Sequence, residues 1–354
     1  MKILAIETSC DDTGVAILEA NDNGNFEVLS NVIASQIEIH KQYGGVYPFM
    51  AKREHQKNLL PSLETALSQA KVSKKDVDLI AVTNGPGLEP CLWVGVNFAK
   101  DLAKKWNVPL VPVNHIESHI LVNFLENKNV KFPAIALVVS GGHTQLVLME
   151  KIGKYEILGE TRDDAAGECF DKCAKILGLG YPGGPAIEKL ASQWKSETNP
   201  KSQIINYKLP RPMLLTKDYD FSFSGLKTAV LYKWREIDKK DLPRDERQRI
   251  LRGMCAEIQQ SIIDVLLKKT IKAAKDYGAK TIILGGGVSA NEELRKQFNY
   301  KLQTTNYKLN LLVPPANLST DNAVMTAITG YFHRNKKIVP LSGTRLKADS
   351  NLRI

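Results

Sequence analysis

His115 and His119 stand four residues apart in Val113-Asn-His-Ile-Glu-Ser-His-Ile120, directly after a short apolar run that reads as a strand. On a helix this spacing stacks two imidazoles on one face. Two neutral imidazoles on a rigid frame can grip one metal ion. Asn114 is a good N-cap and Glu117 falls at the third helical position, so the pair predicts a helix that starts here. The motif is not the metalloprotease signature, in which the Glu directly follows the first His. Glu117 lies about 200° around the helix from His115 and points away from the metal face. A His pair alone is more often two ordinary surface or core residues, so a third ligand is required. The candidate is Asp321 in Leu318-Ser-Thr-Asp-Asn322.

A second set of residues suits an anionic or nucleotide ligand. Thr281-Ile-Ile-Leu284 reads as a strand, Gly285-Gly-Gly287 follows, and Val288-Ser-Ala-Asn-Glu-Glu opens a helix. Ser289 with Glu292 three residues later fits a capping box. Strand, glycines and helix N-terminus allow close approach to an anion, although a glycine turn needed only for packing has the same pattern. The Gly-Lys-Ser/Thr of a P-loop and the dinucleotide spacing are both missing. Asn291 carries a donor and an acceptor and could read an adenine or ribose edge. Tyr181-Pro-Gly-Gly-Pro185 is a further loop with exposed backbone, or a bare turn.

The elements that must position these residues alternate between strand and helix. Residues 2–7 form an apolar strand, residues 8–14 a polar turn and residues 15–18 a second strand. The pattern returns at residues 134–139, 140–144 and 145–149. Each hairpin tip offers hydroxyls and backbone N–H groups to an anion. Two such hairpins suggest two related α/β lobes facing a cleft. Helices are expected over residues 52–71, 96–102, 163–177 and 245–277, with a buried strand at 79–82. The expected lobes are residues 1–130 and 131–354. A helix near 321–333 packs back on the first, and a polar insertion near 195–220 interrupts the second.

Composition sets outer bounds. The chain has 354 residues, enough for two domains, and no apolar run long enough for a membrane span. The start lacks a secretory signal. Five scattered cysteines without a Cys-x-x-Cys imply reduced thiols, hence a cytoplasmic protein. The net charge of +10 permits a polyanionic partner without requiring one. Basic residues concentrate at Lys52-Arg53 and in 71–75, 100–105 and 233–252; the last stretch mixes both signs and reads as a solvated helix face.

Taken together, these segments resemble the TsaD family (also called Gcp), the tRNA threonylcarbamoyladenosine transferases. The matching stretches run in family order over nearly the whole chain. They are Ile6-Glu-Thr-Ser-Cys-Asp-Asp-Thr-Gly14, Gly44-Gly-Val46, Gly85-Pro-Gly-Leu88 with Val94-Gly95, His115-Ile-Glu-Ser-His119, Val139-Ser-Gly-Gly-His-Thr144 and Asp164-Ala-Ala-Gly-Glu168. Phe170-Asp-Lys172, the 181–185 loop, Phe221-Ser-Phe-Ser-Gly-Leu-Lys227, the 285–291 stretch and Ser319-Thr-Asp-Asn322 complete the set. The resemblance implies a duplicated α/β fold of the actin/Hsp70/sugar-kinase (ASKHA) type, with a cleft between its lobes. It implies one divalent metal on His115, His119 and Asp321, iron(II) in the first place and zinc in the second. It places Val138, Val139, Ser140, Gly141, Gly142, Asp171, Gly184 and Asn291 against threonylcarbamoyl-adenylate. Two departures from the family pattern are visible. Asp12 stands where the family often has Glu, and Glu89-Pro-Cys91 replaces small residues.

The implied reaction moves threonylcarbamoyl from the adenylate to the exocyclic amine of the adenosine next to the anticodon, in tRNAs reading ANN codons. A metal near the carbamoyl group would polarise it and stabilise the leaving charge. Asp11 or Asp12 would orient the substrate or take the amine proton. The family implies tRNA, the related inactive protein TsaB and the P-loop ATPase TsaE as partners, and no membrane. Three rival readings are a kinase or ATPase of the same fold, a metallopeptidase and a non-catalytic scaffold. Magnesium prefers oxygen ligands, which weighs against the kinase. The misplaced Glu117 weighs against the peptidase, and the intact His115, His119 and Asp321 weigh against the scaffold.

Overall fold

The computed structural model describes residues 1–21, 23–127, 129–197, 208–239, 242–304, 308–337 and 346–354. The core of the polar insertion expected near 195–220 therefore lies outside the described residues. The described chain forms two compact units, Met1–Val130 with Pro314–Ile354, and Lys131–Val313. The segment 314–354, assigned above to the second lobe apart from a returning helix, lies wholly with the first.

In the first unit, five strands build one sheet: β1 (Lys2–Glu7), β2 (Thr13–Ala20), β3 (Phe26–Ala34), β4 (Leu79–Gly85) and β5 (Leu110–Asn114). Their order is β3-β2-β1-β4-β5. The hairpin β1–β2 is antiparallel, and β1 pairs in parallel with β4. Strand side chains alternate between faces. Leu4 and Ile6 enter a core with Leu59, Leu63, Val96 and Ala99, supplied by the helices Pro48–Ala70 and Glu89–Trp106. Ile3, Ala5 and Glu7 therefore point to the other face. There the helix Ala323–Phe332 packs on β1, β2 and β4, which is why the last segment joins this unit.

The second unit repeats the plan. Its strands are β6 (Ala134–Val139), β7 (Thr144–Lys151), β8 (Lys154–Glu160), β9 (Thr281–Gly285) and β10 (Asn310–Leu312). The order β10-β9-β6-β7-β8 is the same arrangement, with β6–β7 antiparallel and β6–β9 parallel. The internal repeat suspected from two hairpins is thus a repeat of whole sheets. Helices Ala166–Ile176, Ser224–Asp238 and Arg244–Asp276 cover this sheet with a core that includes Phe170, Phe221, Met254 and Ile258. Residues 245–277 form one helix rather than two.

Candidate active site

Two clusters of chemically capable residues emerge, one in each unit. In the first, Asn114 ends β5 and caps the helix His115–Leu121, its Oδ1 accepting from Ile116 N at 2.8 Å and Glu117 N at 3.1 Å. The helix stacks the two imidazoles with ring centroids 4.6 Å apart. Asp321 arrives just before the helix Ala323–Phe332. Its Oδ1 lies 3.1 Å from His119 Nε2 and 3.6 Å from His115 Nε2. One ligand atom from each of the three residues falls within 4.8 Å of the others. The carboxylate of Glu117 lies 2.7 Å from His333 Nε2.

Behind His115 stands a residue the sequence reading left without a role. Glu7 is fully buried, and its Oε1 accepts from Ser9 N at 2.7 Å. Its Oε2 accepts from the hydroxyls of Thr83 at 2.5 Å and Thr326 at 3.2 Å, and lies 3.4 Å from His115 Nδ1. A carboxylate can only accept, so it favours a proton on Nδ1 and leaves Nε2 to face Asp321. Burial disfavours charge on Glu7, but the imidazole of His115 outweighs it and holds the carboxyl below its usual range. Burial likewise opposes a charged His115, yet Asp321 and Glu7 raise it to about 9. His119 moves the other way, because burial outweighs its bond to Asp321. Its Nδ1 is buried without a hydrogen-bond partner. Two imidazoles, a converging carboxylate and a carboxylate behind one imidazole fit a nitrogen- and oxygen-bound divalent ion. The signal available in the sequence was an acid closing an otherwise apolar strand.

Asp11 and Asp12 lie in the turn between β1 and β2. Burial, then the charge of Asp11, pushes Asp12 up to about 7; burial, then Asp321, raises Asp11. One oxygen of Asp12, Oδ1, is buried and has no hydrogen-bond partner among the described residues. Close approaches at glycine hold this corner together. A Cβ on Gly95 would sit 2.3 Å from Thr8 Oγ1, and one on Gly87 2.5 Å from Ser9 O.

In the second unit, separate sequence motifs converge on the tip of the β6–β7 hairpin. Val138 and Val139 are buried in β6, whereas Gly141 and Gly142 are exposed. Gly167 N donates to Ser140 O at 3.2 Å, so the first turn of the helix Ala166–Ile176 abuts the hairpin. Gly286, at φ +84°, approaches from the glycine triplet; a Cβ there would lie 2.3 Å from Val139 O. Asp171 Oδ1 accepts from Gly183 N at 2.7 Å, which ties the 181–185 loop to the same helix. Lys172 and Lys227 both reach Asp164, at 2.7 and 3.1 Å. Gly141, Gly142 and Gly184 face open space, with no atom within 4 Å of an added Cβ.

Two local expectations change. The helix after the glycine triplet runs Glu292–Gln303 and is capped by Asn291, whose Oδ1 accepts from Leu294 N at 2.9 Å. Ser289 lies instead in a 3₁₀ turn, Gly287–Ala290. The amide nitrogen of Asn291 donates to Gln259 Oε1 at 2.9 Å. Oδ1 and Nδ2 of that amide are therefore each engaged within the protein.

A profile described as TsaD, tRNA N6-adenosine threonylcarbamoyltransferase, matches residues 27–328. A protein of that name from Thermosipho africanus is 46% identical over 354 residues, covering 100% of both chains. Another, from Syntrophomonas wolfei, is 47% identical over 341 residues, 96% of this chain and 95% of its own. Among solved structures, component A of the (R)-2-hydroxyglutaryl-CoA dehydratase of Acidaminococcus fermentans superposes with a TM-score of 0.53. It is 14% identical and covers 95% of this chain and 99% of its own, a likeness of fold alone.

Proposed function

The chain belongs to the TsaD family of tRNA N6-adenosine threonylcarbamoyltransferases, and from that premise we propose how its residues divide the work. It is a transferase that modifies tRNA by placing threonylcarbamoyl on the N6 amine of an adenosine. Similarity over the entire length of named relatives carries this reading. The kinase, ATPase and peptidase alternatives are not favoured.

The finer assignments are ours. The donor is threonylcarbamoyl-adenylate. Backbone N–H groups of Gly141 and Gly142 in the hairpin turn, and the open face at Gly184, receive it; Ser140 N is engaged within the turn by His143 O at 2.8 Å, and the side chain of Asp171 fixes the Gly183 end of the 181–185 loop. His115, His119 and Asp321 would hold one divalent ion, iron(II) or zinc, which would supply Lewis acidity to the transfer. Glu7 holds the Nδ1 proton of His115 and so keeps its other nitrogen directed at Asp321. In the transfer, the N6 nitrogen forms a bond to the carbamoyl carbon while the carbon–oxygen bond to the adenylate phosphate breaks, and AMP leaves. Asp12, raised to about 7, has the basicity to take the amine proton near neutral pH; Asp11 is its neighbour in that role.

The partners proposed are those of the family, TsaB and TsaE, with tRNA as substrate. The five cysteines are free, in keeping with a reducing compartment such as the cytoplasm. Among the described residues no helix is long and apolar enough to cross a membrane.

A single-turnover assay tests the reading. Given threonylcarbamoyl-adenylate and unmodified tRNA, modified tRNA and AMP should appear in equal amounts without ATP. Chelation of the metal should abolish both. Product that forms only with ATP hydrolysis would overturn the assignment.

A further inference from the structure

Residues 36–53 of the first unit carry a feature that the transfer chemistry does not use. Tyr43, Tyr47 and Phe49 are 49%, 50% and 66% exposed. The rings are adjacent: Tyr43 and Tyr47 stack at 5.7 Å with 25° between planes, and Tyr47 and Phe49 lie 6.5 Å apart. Large apolar groups clustered in water on a folded surface mark a binding site more often than an accident.

The backbone beneath these rings is anchored. His40 and Gln36 are buried. Tyr47 N donates to His40 Nδ1 at 3.3 Å, and His40 Nε2 lies 3.1 Å from Gln36 Oε1. Gln36 Nε2 donates in turn to Ala51 O at 3.4 Å. Tyr43 N donates to His40 O at 2.9 Å. The rings are thus displayed from a pinned segment. That segment also touches the Asp11-Asp12 turn, since Asp12 bonds to Ser35 and to the backbone of Gln36.

Charge indicates what the rings meet. Lys52 and Arg53 follow the rings directly, while Lys41 ahead of them is paired with Glu38 at 3.5 Å. Exposed aromatic rings interleaved with cations suit unpaired nucleic acid, because every base offers a stacking face and every nucleotide a phosphate. RNA loops are recognised in this way. An enzyme that acts on a base must also take it out of its stack, which leaves neighbouring bases without partners.

We propose that Tyr43, Tyr47 and Phe49 form a stacking platform for unpaired bases of the tRNA loop that flank the target adenosine. Lys52 and Arg53 take the adjoining phosphates. The proposal rests on the tRNA transferase reading.

The test compares the parent with Tyr47→Ala/Phe49→Ala, Tyr43→Ala and the aromatic-preserving Tyr47→Phe/Phe49→Tyr. Binding of unmodified tRNA is read by fluorescence anisotropy across a salt series, together with metal content, melting and single-turnover transfer. The alanine double variant should lose about tenfold or more in tRNA affinity, with metal content, melting and salt slope unchanged. The aromatic-preserving variant should bind as the parent does. Lys52→Ala/Arg53→Ala should flatten the salt slope. A parent that modifies no tRNA would sink the transferase reading itself. If the parent modifies tRNA and the alanine variants bind and react equally well, the platform alone falls. Unchanged tRNA binding with loss of a protein partner would make the face a protein contact and overturn it as well.

Discussion

Gly183 and Gly184 are adjacent at the start of one helix, yet the structure gives them opposite tolerances. A Cβ on Gly183 would lie 2.6 Å from Asp171 Cα, 2.7 Å from Ala174 Cβ and 2.8 Å from Phe170 O. None of these is the end of a flexible side chain, so the helices would have to part. Overpacking of this kind costs about 1–3 kcal/mol. Gly183→Ala should therefore lower the melting temperature by several degrees, at about 2–4 °C per kcal/mol for a unit of this size. A Cβ on Gly184 meets nothing within 4 Å, and the residue lies outside the left-handed region. Gly184→Val should melt within about 0.5 kcal/mol of the parent, as open surface changes do. If that open space receives the donor, the valine fills it. Affinity for threonylcarbamoyl-adenylate should fall at least about tenfold, or about 1.4 kcal/mol, with the metal retained. Calorimetric titration of the donor and thermal melts on both variants decide the matter. Parental donor affinity in Gly184→Val would refute the assignment of that space. Melting as early as that of Gly183→Ala would refute the packing argument.

Glu7→Gln keeps the shape of the side chain but removes its charge and turns one acceptor into a donor facing Ser9 N or the threonine hydroxyls. Metal affinity should drop about 10–100-fold, the usual cost of a lost outer partner of a ligating histidine. Titration of the metal-free variant checks this, and a folded variant with parental affinity would exclude the orienting role. Asp12→Asn should alter the pH dependence of stability in the metal-free protein. The folded carboxyl sits at about 7, well above the ordinary aspartate value of about 3.9. Between these values the folded chain keeps a proton that the unfolded chain has lost, so stability falls as pH rises through the window and is level above it. Asn removes that fall. The variant should match the parent near pH 3.5 and exceed it at pH 8 by a kcal/mol or more. Parallel denaturation curves across the series would contradict a buried carboxyl held protonated at Asp12.

Local order was legible from local pattern. Short continuous apolar runs marked β1 and β6, and the four-residue spacing of His115 and His119 placed both rings on one face, because strands and helices are set by contacts within a few residues. Asn114 could be read as a cap for the same reason. Where two caps competed, pattern misled. Ser289 and Glu292 fit the capping rule, but Asn291 holds the helix because the 3₁₀ turn before it carries the chain past Ser289. The position of Asp321 beside His119, 202 residues distant, and of Thr326 beside Glu7, 319 residues distant, had no local signature. Neither did the direction of any pKa. An isolated Glu7 or Asp12 is an ordinary carboxylate. Glu7 is held charged by two hydroxyls, an amide and an imidazole gathered from a turn, a strand and two helices. Asp12 is raised because the packed chain removes water and leaves one oxygen without a donor. Residue types and spacing determined which groups were available. Packing decided which of them are desolvated together, and desolvation makes proton affinity and hydrogen bonding depend on neighbours that the order of the chain does not bring close.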